Sequence, residues 1–469
     1  MSISRITMPH GHGDIDDICQ AGAEPPPLPV KKTPSAELVE YSDDHISTEF
    51  VSRCGAYLRY TGAEHNKWFH WDGSRWAVDT KMLRYNSARE TCRNLAASVK
   101  NDSLRRGITS NSRVAAIVEM ARSDPRVWLD KDSFDSDPLL LTTPKGTVNL
   151  QTGAIHQHNP ADFITKMTRY PNAEGGCPVF EGFMGDVFEG NSQMVSFMQV
   201  ALGYCLTGVI KEQVFLFAYG GSKNGKSTLF DVIEEIIGSY GNNLNAAALM
   251  SQKNSQHSTD IAMLEGVRAA FTTELDKSQR WNIPVLKSIT GNQRIAARKM
   301  HQDAGSFPNR VKLIISGNDL PRFEGGDAAM ERRILLIPFN AYFSEAKRDR
   351  DMHTKLMGEA PQILQWLIDG AMRYFKEGLL VPEAVKSESQ KYFVEMDTVK
   401  AWAETCLKRE DGSFLPSKEL LDHYASWGED AQMSAREFKK HLTRLGFDWK
   451  RTKQARGFTG VKFSSEFDA

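Results

Sequence analysis

The chain has 469 residues, more than one compact core usually holds, so about two or three domains are expected. Lysine and arginine number 58 against 59 aspartates and glutamates, a formal net charge of -1; the chain as a whole is not a polycation, and any nucleic-acid surface must be a local patch. Six scattered cysteines (Cys19, Cys54, Cys92, Cys177, Cys205, Cys406) form no C-x-x-C pair, and no apolar run reaches the roughly 18 residues of a membrane span, which excludes a zinc ribbon, a disulfide framework and a spanning helix and leaves a soluble cytoplasmic protein as the expectation.

Residues 1–45 surround the run Pro25-Pro26-Pro27-Leu28-Pro29, which resists helix and sheet, and read as a flexible tail. His10, His12 and Asp14 hint at a metal site and Asp14 with Asp16 at a carboxylate pair, but neither has a scaffold around it. Residues 46–205 read as a mixed α+β domain. Asp72-Gly73 between aromatic runs predicts a hairpin over 68–78, and a second is predicted over 146–155. Between them, 87–99 and 112–121 carry helical spacing, parted by a polar stretch containing Gly107. Aromatic residues of the first hairpin are read as cross-strand packing in preference to base stacking.

The densest information lies in residues 206–345. An apolar strand at 214–218 runs through Tyr219 into Gly220-Gly221-Ser222-Lys223-Asn224-Gly225-Lys226-Ser227-Thr228, and a helix follows over 229–237. Strand, glycine loop and helix in that order direct backbone N–H groups and a helix N-terminus at one point, where polyphosphate charge is stabilised. Gly220 and Gly225 allow close approach to phosphate oxygens, Lys226 reaches the β- and γ-phosphates, Ser227 offers its hydroxyl to Mg²⁺, and Thr228 supports the α-phosphate side.

A second strand, 267–273, delivers Glu274, the candidate for holding the Mg²⁺ shell and polarising the attacking water, with Asp276 second; a surface acid at a strand end looks the same in sequence. A third, 311–317, delivers Asn318, either a γ-phosphate sensor or a plain turn residue. Arg332 and Arg333 precede the apolar run 334–338, and one of them offered to a neighbouring subunit's nucleotide would act as an arginine finger. Residues 346–380 form a helical connector, with a helix over 362–378. The last segment, 381–469, has helices at 419–427 and 435–445 and then basic, strand-like sequence in which Arg436, Lys439, Lys440, Arg444, Lys450, Arg451, Lys453, Arg456 and Lys462 face only Glu437 and Asp448. Such a surface suits duplex DNA or the docking of a subunit.

Taken in order, the loop from Gly220 to Thr228, Glu274, the segment 287–299, the run Ile314-Ile315-Ser316-Gly317-Asn318-Asp319-Leu320-Pro321 and the pair Arg332-Arg333 resemble the superfamily 3 helicases, and most closely the phage and plasmid primase-helicase family. The resemblance covers about residues 46–345. It implies an α/β fold with an AAA+ P-loop NTPase core, which joins the mixed α+β N-terminal domain read above and a C-terminal domain whose two helices and basic wing resemble a winged helix. It implies a homo-hexameric ring that binds ATP and Mg²⁺ between subunits and translocates on single-stranded or forked DNA during replication of a phage, plasmid or mobile element. Arg298, Lys299 and His301 are carried over as the basic tip of a channel hairpin that tracks the DNA backbone. The alternative is a DNA-binding initiator whose nucleotide controls assembly without unwinding. One departure is Thr273, which stands where many members carry a second acid. Because the 45-residue tail is too short for a primase domain, priming is expected from a separate protein, working with other replication proteins.

Overall fold

A computed structural model describes residues 41–62, 66–251, 258–273, 280–298, 304–321, 328–396, 398–427, 434–452 and 455–464. Most of the expected tail, with its proline run and its His10 and Asp14 candidates, lies outside them.

A parallel strand buried on both faces needs an unbroken apolar run. Phe215–Tyr219, Ala269–Thr272, Lys312–Gly317 and Ile334–Pro338 each meet that need, being buried at nearly every position. With Gly241–Asn243 they form a five-stranded sheet in which all neighbours are parallel. Numbered along the chain, the order is 5-1-4-3-2, so the strand feeding the glycine loop sits between Ile334–Pro338 and Lys312–Gly317. Side chains alternate between two apolar layers. Leu216, Ala218, Ile314 and Ile337 join Phe180, Phe230 and Leu367 on one face; Phe215, Phe217, Ile315 and Leu336 join Trp281, Leu286 and Tyr392 on the other.

Two buried cations fasten the strand starts. The Arg268 guanidinium donates to the carbonyls of Leu206 (3.0 Å) and Leu140 (2.6 Å), and the Lys312 ammonium donates to those of Thr207 and Arg310 (2.9 Å). Leu206 and Thr207 close helix Ser192–Leu206, whose dipole makes that end the negative one. Burial pushes both basic groups below their ordinary pKa. Their role is to lock helix to sheet.

Helix Ser192–Leu206 crosses helix Ala360–Glu377 at two glycines. A Cβ on Gly203 would lie 2.2 Å from the Ala371 nitrogen, and one on Gly370 would lie 2.1 Å from the Gln199 carbonyl oxygen. Gly203→Ala must therefore push two helix backbones apart, and we expect a loss of about 2 kcal/mol or more, read as a lower urea midpoint with an unchanged slope. An unaltered midpoint would mean that the crossing yields freely.

The N-terminal part packs helices Asp43–Cys54, Leu83–Ala97, Asp102–Ile108 and Asn111–Met120 against a four-stranded sheet. Within it, Lys67–Trp71 and Trp76–Val78 form the expected hairpin, with Trp71 opposite Trp76, and Trp68, Phe69 and Trp76 are buried as packing residues. Where the sequence suggested only a polar spacer, Asn101 caps a short helix by accepting from Ser103 and Leu104 N–H groups, and that helix buries Ile108.

Helix Glu383–Met396, which the sequence grouped with the C-terminal segment, lies on the five-stranded sheet: Val385 and Tyr392 enter its two apolar layers, and the Ser389 hydroxyl accepts from the Leu336 N–H at 2.9 Å. Beyond it, helices Thr398–Cys406, Ser417–Trp427 and Ala435–Arg444 and the antiparallel strands Leu407–Pro416, Arg456–Phe463 and Asp448–Arg451 enclose a separate core around Trp402, Tyr424, Phe438 and Phe458. No helix among the described residues is long and apolar enough to cross a membrane.

Candidate nucleotide-binding site

The glycine loop leaves the carboxyl end of its strand into a cleft of about 1010 Å³, lined by Gly221 to Thr228, Thr273, Gly317 and Asn318. Crevices at the carboxyl ends of parallel strands are where such sheets take ligands. The chain can enter this turn only with glycine at two positions. Gly220 has φ +150° and a Cβ there would meet the Phe339 carbonyl oxygen at 2.2 Å; Gly225 has φ +86° and a Cβ would meet Val187 at 2.7 Å. Gly225 then opens helix Lys226–Ile237, which buries Leu229, Phe230, Ile233, Ile236 and Ile237 at helical spacing and so fixes its N-terminus against the loop.

Lys226 is nine-tenths or more buried. Its ammonium donates to the carbonyls of Gly220 (2.6 Å) and Gly221 (2.7 Å) and to the side-chain oxygens of Asn224 (3.2 Å) and Asn318 (3.3 Å). No acid stands among these partners, and burial lowers its pKa to about 8. The loop thus curls around its own cation, using oxygens that phosphate oxygens would replace. Asn224 completes the frame by donating to the Phe339 carbonyl at 2.9 Å. Ser222, Lys223 and Ser227 are exposed at the cleft. The glycine cradle, the acid-free ammonium and the adjoining helix N-terminus all fit a polyphosphate.

Asn318 lies next to Lys226 although 92 positions separate them. Glu274 and Asp276 lie outside the described residues; the strand that leads to them ends at Thr272 beside the loop's neighbour strand, and Thr273 lines the cleft. The two arginines differ. Arg333 donates from Nε to the Thr290 hydroxyl (3.2 Å) and from Nη1 to the Ala329 carbonyl (2.7 Å), whereas Arg332 is exposed and pairs with none of the described residues. Strands Arg294–Arg298 and Ala304–Pro308 form the arms of an antiparallel hairpin with Arg298 opposite Ala304; its tip, with Lys299 and His301, lies outside the described residues. The base is fastened to the N-terminal part by an Arg294–Asp132 ion pair at 2.7 Å.

Sequence reading missed a further wall of the cleft. Phe343, Lys347, Arg348, Asp349, Arg350, Met352 and His353, all C-terminal to the last sheet strand, line it together with Asp186 and Asp231. The residues 347–350 had been assigned to a connector, and a cluster of three cations just after a sheet strand was the available signal.

Residues 48–189 match the family model described as D5 N terminal like, and residues 218–333 match one described as a family of unknown function (DUF5906). A protein of Acanthamoeba polyphaga mimivirus named "Putative helicase L207/L206" is 24% identical over 305 residues, covering 60% of this chain and 32% of that protein. "Primase D5" of fowlpox virus is 26% identical over 235 residues, covering 47% of this chain and 30% of its own length. The chain is similar to viral proteins named as helicases and primases. It spans about a third of the length of these curated relatives. An apo structure of the NrS-1 C terminal region aligns with 88% of this chain and 98% of its own at 11% identity and a TM-score of 0.49.

Proposed function

We propose that this chain is an ATP-driven DNA helicase motor of the AAA+ superfamily 3 type, acting in replication as a ring, probed most directly by strand separation. The observation that carries the reading is the meeting of Lys226, on the glycine loop, with Asn318 beyond the carboxyl ends of adjacent parallel strands in a sheet of order 5-1-4-3-2. Similarity to viral proteins named as helicases and primases agrees with it.

In this reading Gly220 to Thr228 bind the triphosphate, Lys226 exchanges its carbonyl partners for β- and γ-phosphate oxygens, and Asn318 orients the water. Ser227, with Glu274, would hold Mg²⁺, which neutralises charge building on the phosphates. Arg332 would reach the nucleotide of a neighbouring subunit. A cleft completed by another copy implies a closed ring, and a hexamer is the expected one. The 294–308 hairpin carries the DNA contact through Arg298, Lys299 and His301. The C-terminal unit follows the order helix, strand, helix, helix, strand, strand, which suits a winged helix. Arg436, Lys440, Lys450, Arg451 and Arg456 are exposed there and form no ion pair with the described residues, which favours a phosphate-facing surface.

The test is a forked duplex with one labelled strand. ATP with Mg²⁺ should release that strand, and a non-hydrolysable analogue should not. Nucleotide and DNA binding with hydrolysis but no strand release would favour the initiator reading instead.

A further inference from the structure

Besides the glycine loop, the cleft has a second cationic wall, contributed by the segment that follows strand Ile334–Pro338. This segment is fastened to the loop along its length. The Phe339 N–H donates to the Tyr219 carbonyl (2.8 Å), the Phe343 N–H donates to the Lys223 carbonyl (2.8 Å), and Glu345 pairs with the Lys223 ammonium at 2.6 Å. Residues 339–345 of the segment are thus tied to the loop and to the strand that feeds it.

The charges on this wall are unevenly used. Glu345 is taken up by Lys223, and Asp349 by the Lys355 ammonium (2.5 Å) and the Asp351 N–H (2.9 Å). His353 lies 3.6 Å from Glu235. Lys347, Arg348 and Arg350 are exposed in the cleft and form no ion pair with the described residues. Two guanidiniums and an ammonium thus face the space beside the phosphate loop, while Glu345 and Asp349 of the same segment are committed to Lys223 and Lys355. Guanidinium forks match phosphate oxygens in pairs, which an aliphatic or neutral ligand could not use.

We infer that Arg348 and Arg350 bind the nucleotide's polyphosphate from the same subunit, forming with the glycine loop a two-sided clamp supported by Lys347. The inference rests on the nucleotide reading of the cleft and adds to it a cationic contact in cis, distinct from Arg332, which acts on a neighbouring subunit. The lysine-glutamate pair between Lys223 and Glu345 would then set the spacing of the two sides.

The probe is a fluorescent ADP or ATP analogue titrated against the full chain in Mg²⁺, with Arg348→Ala, Arg350→Ala, the double variant and Lys226→Ala compared with the wild type. Each arginine variant should weaken binding about tenfold, more in the double variant, and the arginine-to-lysine versions should recover part of the loss. The dependence of affinity on salt should become shallower, since fewer cations face the phosphates. Thermal unfolding should not change, because both side chains are exposed. If Lys226→Ala weakens binding and the arginine variants match the wild type, the clamp is wrong and the nucleotide site stands. If the wild type itself binds no nucleotide, or Lys226→Ala binds as well as the wild type, the underlying reading fails and the clamp with it.

Discussion

Alanine at Lys226 is expected to lower ATP turnover at least about a hundredfold, the size of effect seen when one preorganised donor to a developing negative charge is removed. Among the described residues the side chain is the only cation shown inside the loop's ring of oxygens. The same substitution should be mild for folding. It removes an ammonium whose three N–H groups are shared among four oxygens but also removes a desolvated charge, and the two effects oppose each other.

The sign of the pH effect follows from that desolvation. Burial lowers the Lys226 pKa from 10.5 to about 8, so between those values the unfolded chain binds more protons than the folded one. Stability of the wild type relative to Lys226→Ala should therefore rise as pH climbs through this window, and the full penalty should be present below it. Nucleotide acts in the opposite sense. Phosphate oxygens favour the ammonium, so binding above pH 8 takes up a proton and affinity should fall as pH rises from there. Calorimetric titration in buffers of different ionisation enthalpy measures the proton uptake, and none at pH 9 would mean that Lys226 does not meet the phosphates.

What was legible in sequence was whatever local backbone chemistry enforces. Gly220 and Gly225 are required by positive φ and by Phe339 and Val187 pressing on the turn, so the loop could be recognised residue by residue. Four of the five sheet strands were visible as apolar runs because both of their faces are covered. Gly241–Asn243 was not, since Gly-Asn-Asn has no strand pattern and is held by pairing with Ala269–Thr272. Strand Leu407–Pro416 was also missed. Its sequence, LKREDGSFLP, is polar at the centre, and it owes its conformation to the antiparallel partner Arg456–Phe463. The cationic wall escaped for a similar reason: Lys223 and Glu345 meet across 122 positions, and nothing in the run Lys347-Arg348-Asp349-Arg350 says that the chain has turned back to the loop. Sequence likewise could not separate Arg332 from Arg333, because the difference lies in the positions of Thr290 and Ala329.

That difference makes the two arginines separable by experiment. Arg333→Ala should behave as a structural lesion. Its guanidinium bridges the Thr290 hydroxyl on helix Ile283–Gly291 and the Ala329 carbonyl on helix Ala328–Glu331, beside the start of strand Ile334–Pro338, and losing both bonds should cost about 1–3 kcal/mol and lower the melting temperature. Arg332→Ala touches no described partner, so its melting curve and its nucleotide affinity should match the wild type. Turnover should nevertheless fall about a thousandfold or more, as expected when an arginine finger is withdrawn from phosphoryl transfer. On the proposal that Arg332 serves a neighbour's nucleotide in a ring, mixing Arg332→Ala with Lys226→Ala protein should restore part of the activity: some interfaces in mixed rings would then pair an intact loop with an intact arginine. Two inactive variants that regain turnover only when combined would identify a shared site. Arg332→Ala protein that hydrolyses ATP at the wild-type rate would remove Arg332 from the chemistry altogether.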